Sequence, residues 1–183
     1  FHFSLVMLIA SFFSLGQQTF LMKEVSNAQV SMDLPHEKSI YQFSGIATIL
    51  GAVLGGAVFY LITYYAVGSN QNIAVWGSLL VMLFCMSQTT MGGLRVQGRT
   101  LFAIASRDVI WRLLTLSLVF TTTVYFLRNL NTSSFLALFV LSLLPVLIWH
   151  GWTIFCNLKH RFKTGEVSIS WRMWGNTSLG LGL

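Results

Sequence analysis

Arginine is the residue type that sets what chemistry this sequence can do. Arg95, Arg99, Arg107 and Arg112 fall within one stretch, Leu94 to Arg112 (LRVQGRTLFAIASRDVIWR), and are four of the eleven Lys and Arg residues in the 183-residue chain. A guanidinium presents a planar fork of donors that matches phosphate oxygens in pairs. Such a cluster can hold lipid phosphates and can also fix which membrane face it occupies. Arg95 and Arg99 stand four apart and share a face on a continuous helix, with Leu101, Phe102 and Ile104 as apolar surface beside them. Asp108 and Arg112 have the same spacing, with the acid on the N-terminal side, and can pair.

Other reactive constellations are missing from the sequence. The five acidic residues, Glu24, Asp33, Glu37, Asp108 and Glu166, all sit in or beside connections between apolar runs, so no buried carboxylate is expected to bind a cation or relay protons. There is no carboxylate pair for acid/base work, no HExxH, no GxSxG elbow and no GxxxxGK[ST] loop. The expectation is a non-enzyme without metal or cofactor. Cys85 and Cys156 lack partners at metal or redox spacing and read as small core residues.

The elements that position the arginines are apolar runs. The chain is 55% hydrophobic and 9% charged, whereas roughly a quarter of the residues in a soluble domain carry charge. An all-α integral membrane protein is expected, a multi-pass helical bundle. With about 20 apolar residues needed per crossing, the spans are placed at Phe1 to Gly16, Tyr41 to Val67, Ile73 to Met91, Val109 to Leu127 and Ser134 to Cys156, with a further helix beginning near Trp174. The runs are continuous, which excludes the alternating segments of a membrane barrel. No nucleic-acid partner is expected, because the net charge of +6 is confined to short segments between apolar runs and forms no stripe with aromatics. The first run has no basic region before it and no small-residue cleavage site after it, unlike a signal peptide. The sequence begins without Met and stops at Leu183 inside another apolar stretch, so it reads as a piece of a longer chain.

Lys and Arg segregate between the connections. Lys23 and Lys38 follow the first span, the four clustered arginines follow the third, and Lys159, Arg161, Lys163 and Arg172 follow the fifth. The intervening turns hold only Arg128. The basic connections are therefore placed in the cytoplasm and Phe1 on the outer side. The first connection, Gln17 to Ser39, is helix-compatible to about Met32 and broken by Pro35, and Lys23 within it can snorkel back towards a cavity between helices. Ala47, Gly51 and Gly55, beside Ala52 and Gly56, form a small-residue face suited to close helix packing. Ser87, Gln88, Thr89 and Thr90 end the third span, and Thr115, Ser117, Thr121, Thr122 and Thr123 occupy the fourth, where threonines commonly bond back to the backbone. Pro145 is expected to kink the fifth span. His150, near the inner third of that span between Trp149 and Trp152, is either a pathway residue or a neutral, hydrogen-bonded histidine.

Two stretches carry a family resemblance. LGQQTFLMKEV, Leu15 to Val25, resembles the Gly-led, basic-ended close of the second helix in polysaccharide and O-antigen flippases of the multidrug/oligosaccharidyl-lipid/polysaccharide exporter superfamily. GLRVQGRTLFAIASRDVIWRLLTL, Gly93 to Leu116, is similar to their cytoplasmic segment between the fourth and fifth helices, with Gly98-Arg99 and Arg112 in the matching places. Ala105 to Asp108 departs from a Pro-containing turn often found there. On this resemblance the chain covers about helices two to six.

The resemblance implies a partial N-terminal lobe of a two-lobe exporter fold of twelve or more helices. It implies a transporter in the bacterial cytoplasmic (inner) membrane that flips polyprenyl-pyrophosphate-linked oligosaccharide to the outer leaflet for polysaccharide or O-antigen assembly. Arg99 and Arg112 would receive the pyrophosphate, with His150 and Lys23 as further substrate-binding candidates. Membrane lipids and other polysaccharide-assembly proteins would be its partners. The alternatives are a flippase for the peptidoglycan lipid precursor, a multidrug exporter of the same superfamily, or a membrane-embedded polyprenyl-sugar transferase.

Overall fold

The structure, a computed structural model, describes residues 1–14, 16–126 and 131–161. The helix expected near Trp174 and the residues Arg128, Lys163, Glu166 and Arg172 lie outside the described residues. Among the described residues seven helices follow in order: α1 (His2–Phe13), α2 (Gln17–Val30), α3 (Leu34–Leu61), α4 (Gln71–Val96), α5 (Thr100–Ala105), α6 (Trp111–Phe126) and α7 (Thr132–Arg161). π-helical turns at Ile62–Ala66 and Ser106–Ile110 extend α3 and join α5 to α6. Among the described residues four stretches, His2–Val30, Leu34–Ala66, Gln71–Val96 and Thr132–Lys159, are long and apolar enough to cross a membrane. The remaining expected span, Val109 to Leu127, is helical as far as Phe126 but is not among those four.

The first connection differs from its sequence reading. Most of Gln17 to Ser39 is helix packed into the bundle. Phe20, Leu21, Val25 and Ala28 form one apolar stripe on α2 and pack with Ile40 and Phe43 of α3. Polar residues on the opposite face hid that stripe. Pro35 starts a helix and ends none. It lies in the first turn of α3, where its missing N–H loses no bond. Asp33 caps the same turn by accepting from the His36 amide at 3.0 Å.

α4 is the central helix, in contact with α1, α2, α3 and α7. The small-residue face of α3 packs as expected, since Gly51, Ala52, Gly55 and Gly56 are buried. A Cβ on Gly55 would lie 3.0 Å from Phe13 Cβ and 3.2 Å from Val81 Cγ1. The side of α3 carrying Ile46, Ile49, Leu50, Val53 and Leu54 is exposed, as a lipid-facing helix requires. Pro145 lies inside α7, which runs through it.

Among the described residues the ends of the bundle differ in charge. Val25, Ile40 and Val96 meet near one end, and Asn157 of α7 donates to Gln97 Oε1 after α4 at 2.8 Å, so the ends of α2, α4 and α7 and the start of α3 gather there. Lys38, Arg95, Arg99 and Lys159 belong to that end. At the other end Phe1, Phe3, Asn131 and Phe135 help line a hollow of about 530 Å³, and Tyr64 and Tyr65 are exposed there.

Gly77 gives the most direct test of the packing. A Cβ there would overlap the ring of Phe59, which is fully buried. Gly77→Ala should destabilise by about 1–3 kcal/mol through overpacking. Gly45→Ala, with nothing within 4 Å of the added carbon, should instead stabilise by about 0.5–1 kcal/mol. Thermal unfolding of the purified protein in detergent should therefore shift down for the first variant and up or not at all for the second.

Candidate functional site at the basic end

Three elements bring polar side chains together just inside the basic end. α4 supplies Thr90, the π turn after α5 supplies Ser106 and α7 supplies His150. His150 is 1% exposed. Its Nε2 bonds to Ser106 Oγ, and its Nδ1 lies 3.5 Å from Thr90 Oγ1. Ser106 donates its one proton to the Phe102 carbonyl at 2.7 Å, which leaves its oxygen to accept from Nε2–H. Thr90 Oγ1 likewise donates to the Ser87 carbonyl at 3.1 Å, so both ring nitrogens meet hydroxyl oxygens. Phe102 also packs edge-on to Trp149, with ring centroids 4.8 Å apart, and lies 5.9 Å from the His150 ring. The network makes the residue a tie between α4, α7 and the π turn.

The arginines take up two different environments. Arg99 caps α5 without a side-chain bond to it, and Arg112 lies at the start of α6. Both are exposed, as is Lys23 on α2. Arg95 and Arg107 are half-buried. Arg107 donates to Gln88 Oε1 at 3.4 Å and to Met91 Sδ at 3.0 Å, and Arg95 Nε is buried without a described acceptor. Burial lowers the pKa of Arg107 below the usual arginine value; Asp108 opposes that shift and Arg95 adds to it. No bond joins His150 to Arg99, Arg112 or Lys23 among the described residues.

The shared face expected of Arg95 and Arg99 is broken by the backbone, and the pairing expected of Asp108 and Arg112 does not form among the described residues. Arg95 ends α4, whereas Arg99 caps α5, and Gly98 between them has φ 76°. That left-handed conformation is accessible to glycine and stops the helix. Asp108 lies in the π turn, where hydrogen bonds close on the fifth residue instead of the fourth. Among the described residues no ion pair joins Asp108 to Arg112.

A second correction concerns acids. Glu37, in the first turn of α3, is 1% exposed and accepts from Gln29 Nε2 at 3.1 Å. A buried carboxylate is therefore present, positioned by the unexpected packing of α2 on α3. Among the described residues no three His, Cys, Asp or Glu side chains gather as metal ligands would. Many hydroxyls serve the backbone, as their positions suggested: Thr121, Thr122 and Thr123 each bond the carbonyl four residues earlier. Thr48 and Thr89 join α3 to α4 at 2.7 Å, and Trp111 Nε1 and Thr115 both bond Ser142 Oγ, joining α6 to α7. The polar run Ser87 to Thr90 signalled part of this layer. Ser106 gave no sequence signal, because its partner lies 44 positions away.

Comparison with models of known protein families, with curated proteins and with solved structures found no match.

The His150 tie can be isolated by a double-mutant cycle. Ser106→Ala should leave a buried imidazole N–H unsatisfied and cost about 1–3 kcal/mol, and a coupling of about 0.5–3 kcal/mol to His150→Phe is expected for residues in direct contact. Additive losses in thermal or denaturant unfolding would contradict the hydrogen bond.

Proposed function

We propose that this chain is part of a bacterial inner-membrane transporter that flips polyprenyl-pyrophosphate-linked oligosaccharide from the cytoplasmic to the outer leaflet by alternating access, without chemistry on its cargo. The observation that carries the reading is the collection of arginines at one end of an apolar helical bundle, Arg95 and Arg107 half-buried and Arg99 and Arg112 exposed. An anionic headgroup entering from that side meets guanidinium forks at successive depths, and guanidinium binds phosphoryl oxygens bidentately. The resemblance of Leu15 to Val25 and of Gly93 to Leu116 to polysaccharide flippases supplies the cargo class. In this reading the chain forms most of one six-helix lobe, a second lobe completes the cavity, and rocking between them alternates access. The bonded layer of Thr90, Ser106 and His150 holds α4, α7 and the π turn together as the lobe moves.

Within the reading, Arg99 and Arg112 receive the cargo first, because both are exposed on the segment that follows α4. Lys23, exposed on α2, adds positive charge to the same approach. In the native bacterium, deletion of the gene should abolish export of the surface polysaccharide and accumulate its lipid-linked precursor on the cytoplasmic leaflet. Arg99→Ala with Arg112→Ala, at normal protein abundance, should reduce export by about tenfold, as expected for the loss of charge-assisted contacts. Normal export in the deletion strain would contradict the cargo; normal export in the double variant alone would contradict the roles of the two arginines.

A further inference from the structure

We propose that Arg95 and Arg107 form a recessed binding site for a phosphoryl oxyanion. The site stands on the geometry of the basic end. Only the identity of the molecule that carries the phosphoryl group rests on the flippase reading.

The floor of the site is a stripe of α4. Gln88, Met91 and Arg95 occur at i, i+3 and i+7 and so lie along one side of that helix. Arg107, carried on the π turn, reaches across to this stripe, with Nη1 on Gln88 Oε1 and on Met91 Sδ. Two guanidiniums from different elements thus come to the same strip of helix, and the charge of Arg95 acts on Arg107.

Their acceptors do not match their donors. An arginine offers five N–H groups, yet Arg107 is met here by a neutral amide oxygen at 3.4 Å and by a thioether, which is a weak acceptor. Arg95 Nε is buried with no acceptor among the described residues. The acid that acts on Arg107 is Asp108, its own chain neighbour, which is itself exposed. Glu37 is engaged elsewhere, with Gln29 of α2. Two half-buried like charges with spare donors favour a bound anion with several oxygens, able to bridge both forks. At the end of a membrane bundle, the anion at that depth is the phosphoryl group of a lipid, either a phospholipid of the bilayer or a prenyl pyrophosphate.

The test uses the intact protein, purified and delipidated in detergent, with farnesyl pyrophosphate and phosphatidylglycerol titrated separately and bound species counted by native mass spectrometry. Arg107→Gln removes one fork. Gln88→Glu supplies the missing negative charge in place and keeps the side-chain shape, so it should fold while competing with the ligand. Lys159→Gln removes an exposed charge from the same end. Both site variants should weaken at least one probe by about tenfold, the scale of one charge-assisted bond, with Lys159→Gln close to the unaltered protein. A loss confined to farnesyl pyrophosphate supports the site with the pyrophosphate lipid as its occupant. A loss confined to phosphatidylglycerol supports the site with a bilayer phospholipid there and separates it from the cargo. Unchanged binding of both probes in Gln88→Glu, or an equal loss in Lys159→Gln, overturns the proposal.

Discussion

The close approach of α3 to α4 is the contact on which the rest of the bundle depends. In lipid the hydrophobic effect does not press helices together, so association requires tight packing and a few polar ties. Both occur on this seam. Gly51, Ala52, Gly55 and Gly56 remove side-chain bulk from α3, Gly77 receives the Phe59 ring, and Thr48 meets Thr89 at 2.7 Å. With α4 held in place, one side of it receives α7 and another presents Gln88, Met91 and Arg95 towards the π turn.

The second constraint is where charge can reside. Desolvating an unpaired charge is expensive, so charged side chains collect at a bundle end, where water and headgroups solvate them. The π turn at Ser106–Ile110 modifies that rule locally. It sets Ser106 against His150 and turns Arg107 inward, while Asp108 remains exposed. The turn leaves the Arg107 guanidinium facing α4, the feature on which the proposed anion site rests.

Much of this was legible in the sequence. Continuous apolar runs marked α3, α4 and α7, the segregation of Lys and Arg matched the end that gathers Lys38, Arg95, Arg99 and Lys159, and the four-residue spacing of small residues marked the seam. What stayed hidden had physical causes. α2 carries Gln, Lys, Glu, Ser and Asn among its apolar stripe, so its average polarity concealed a packed face. The burial of Glu37 depends on that packing and could not be inferred from its place beside a connection. The rule that residues four apart share a face presupposes an unbroken helix, and Gly98 breaks it between Arg95 and Arg99. The bond between His150 and Ser106 joins residues 44 positions apart, a relation that a single sequence does not encode locally.

Transport of a pyrophosphate-linked lipid is the claim that joins these features, and reconstitution measures it directly. The intact protein would be placed in liposomes containing a fluorescent polyprenyl-pyrophosphate oligosaccharide, with the label accessible to a membrane-impermeant quencher only in the outer leaflet. The expected result is that all of the label becomes quenchable over time in liposomes with the protein, while about half stays protected in protein-free liposomes, as set by random insertion into a bilayer that polar headgroups cross slowly. An identical protected fraction with and without the protein would contradict it.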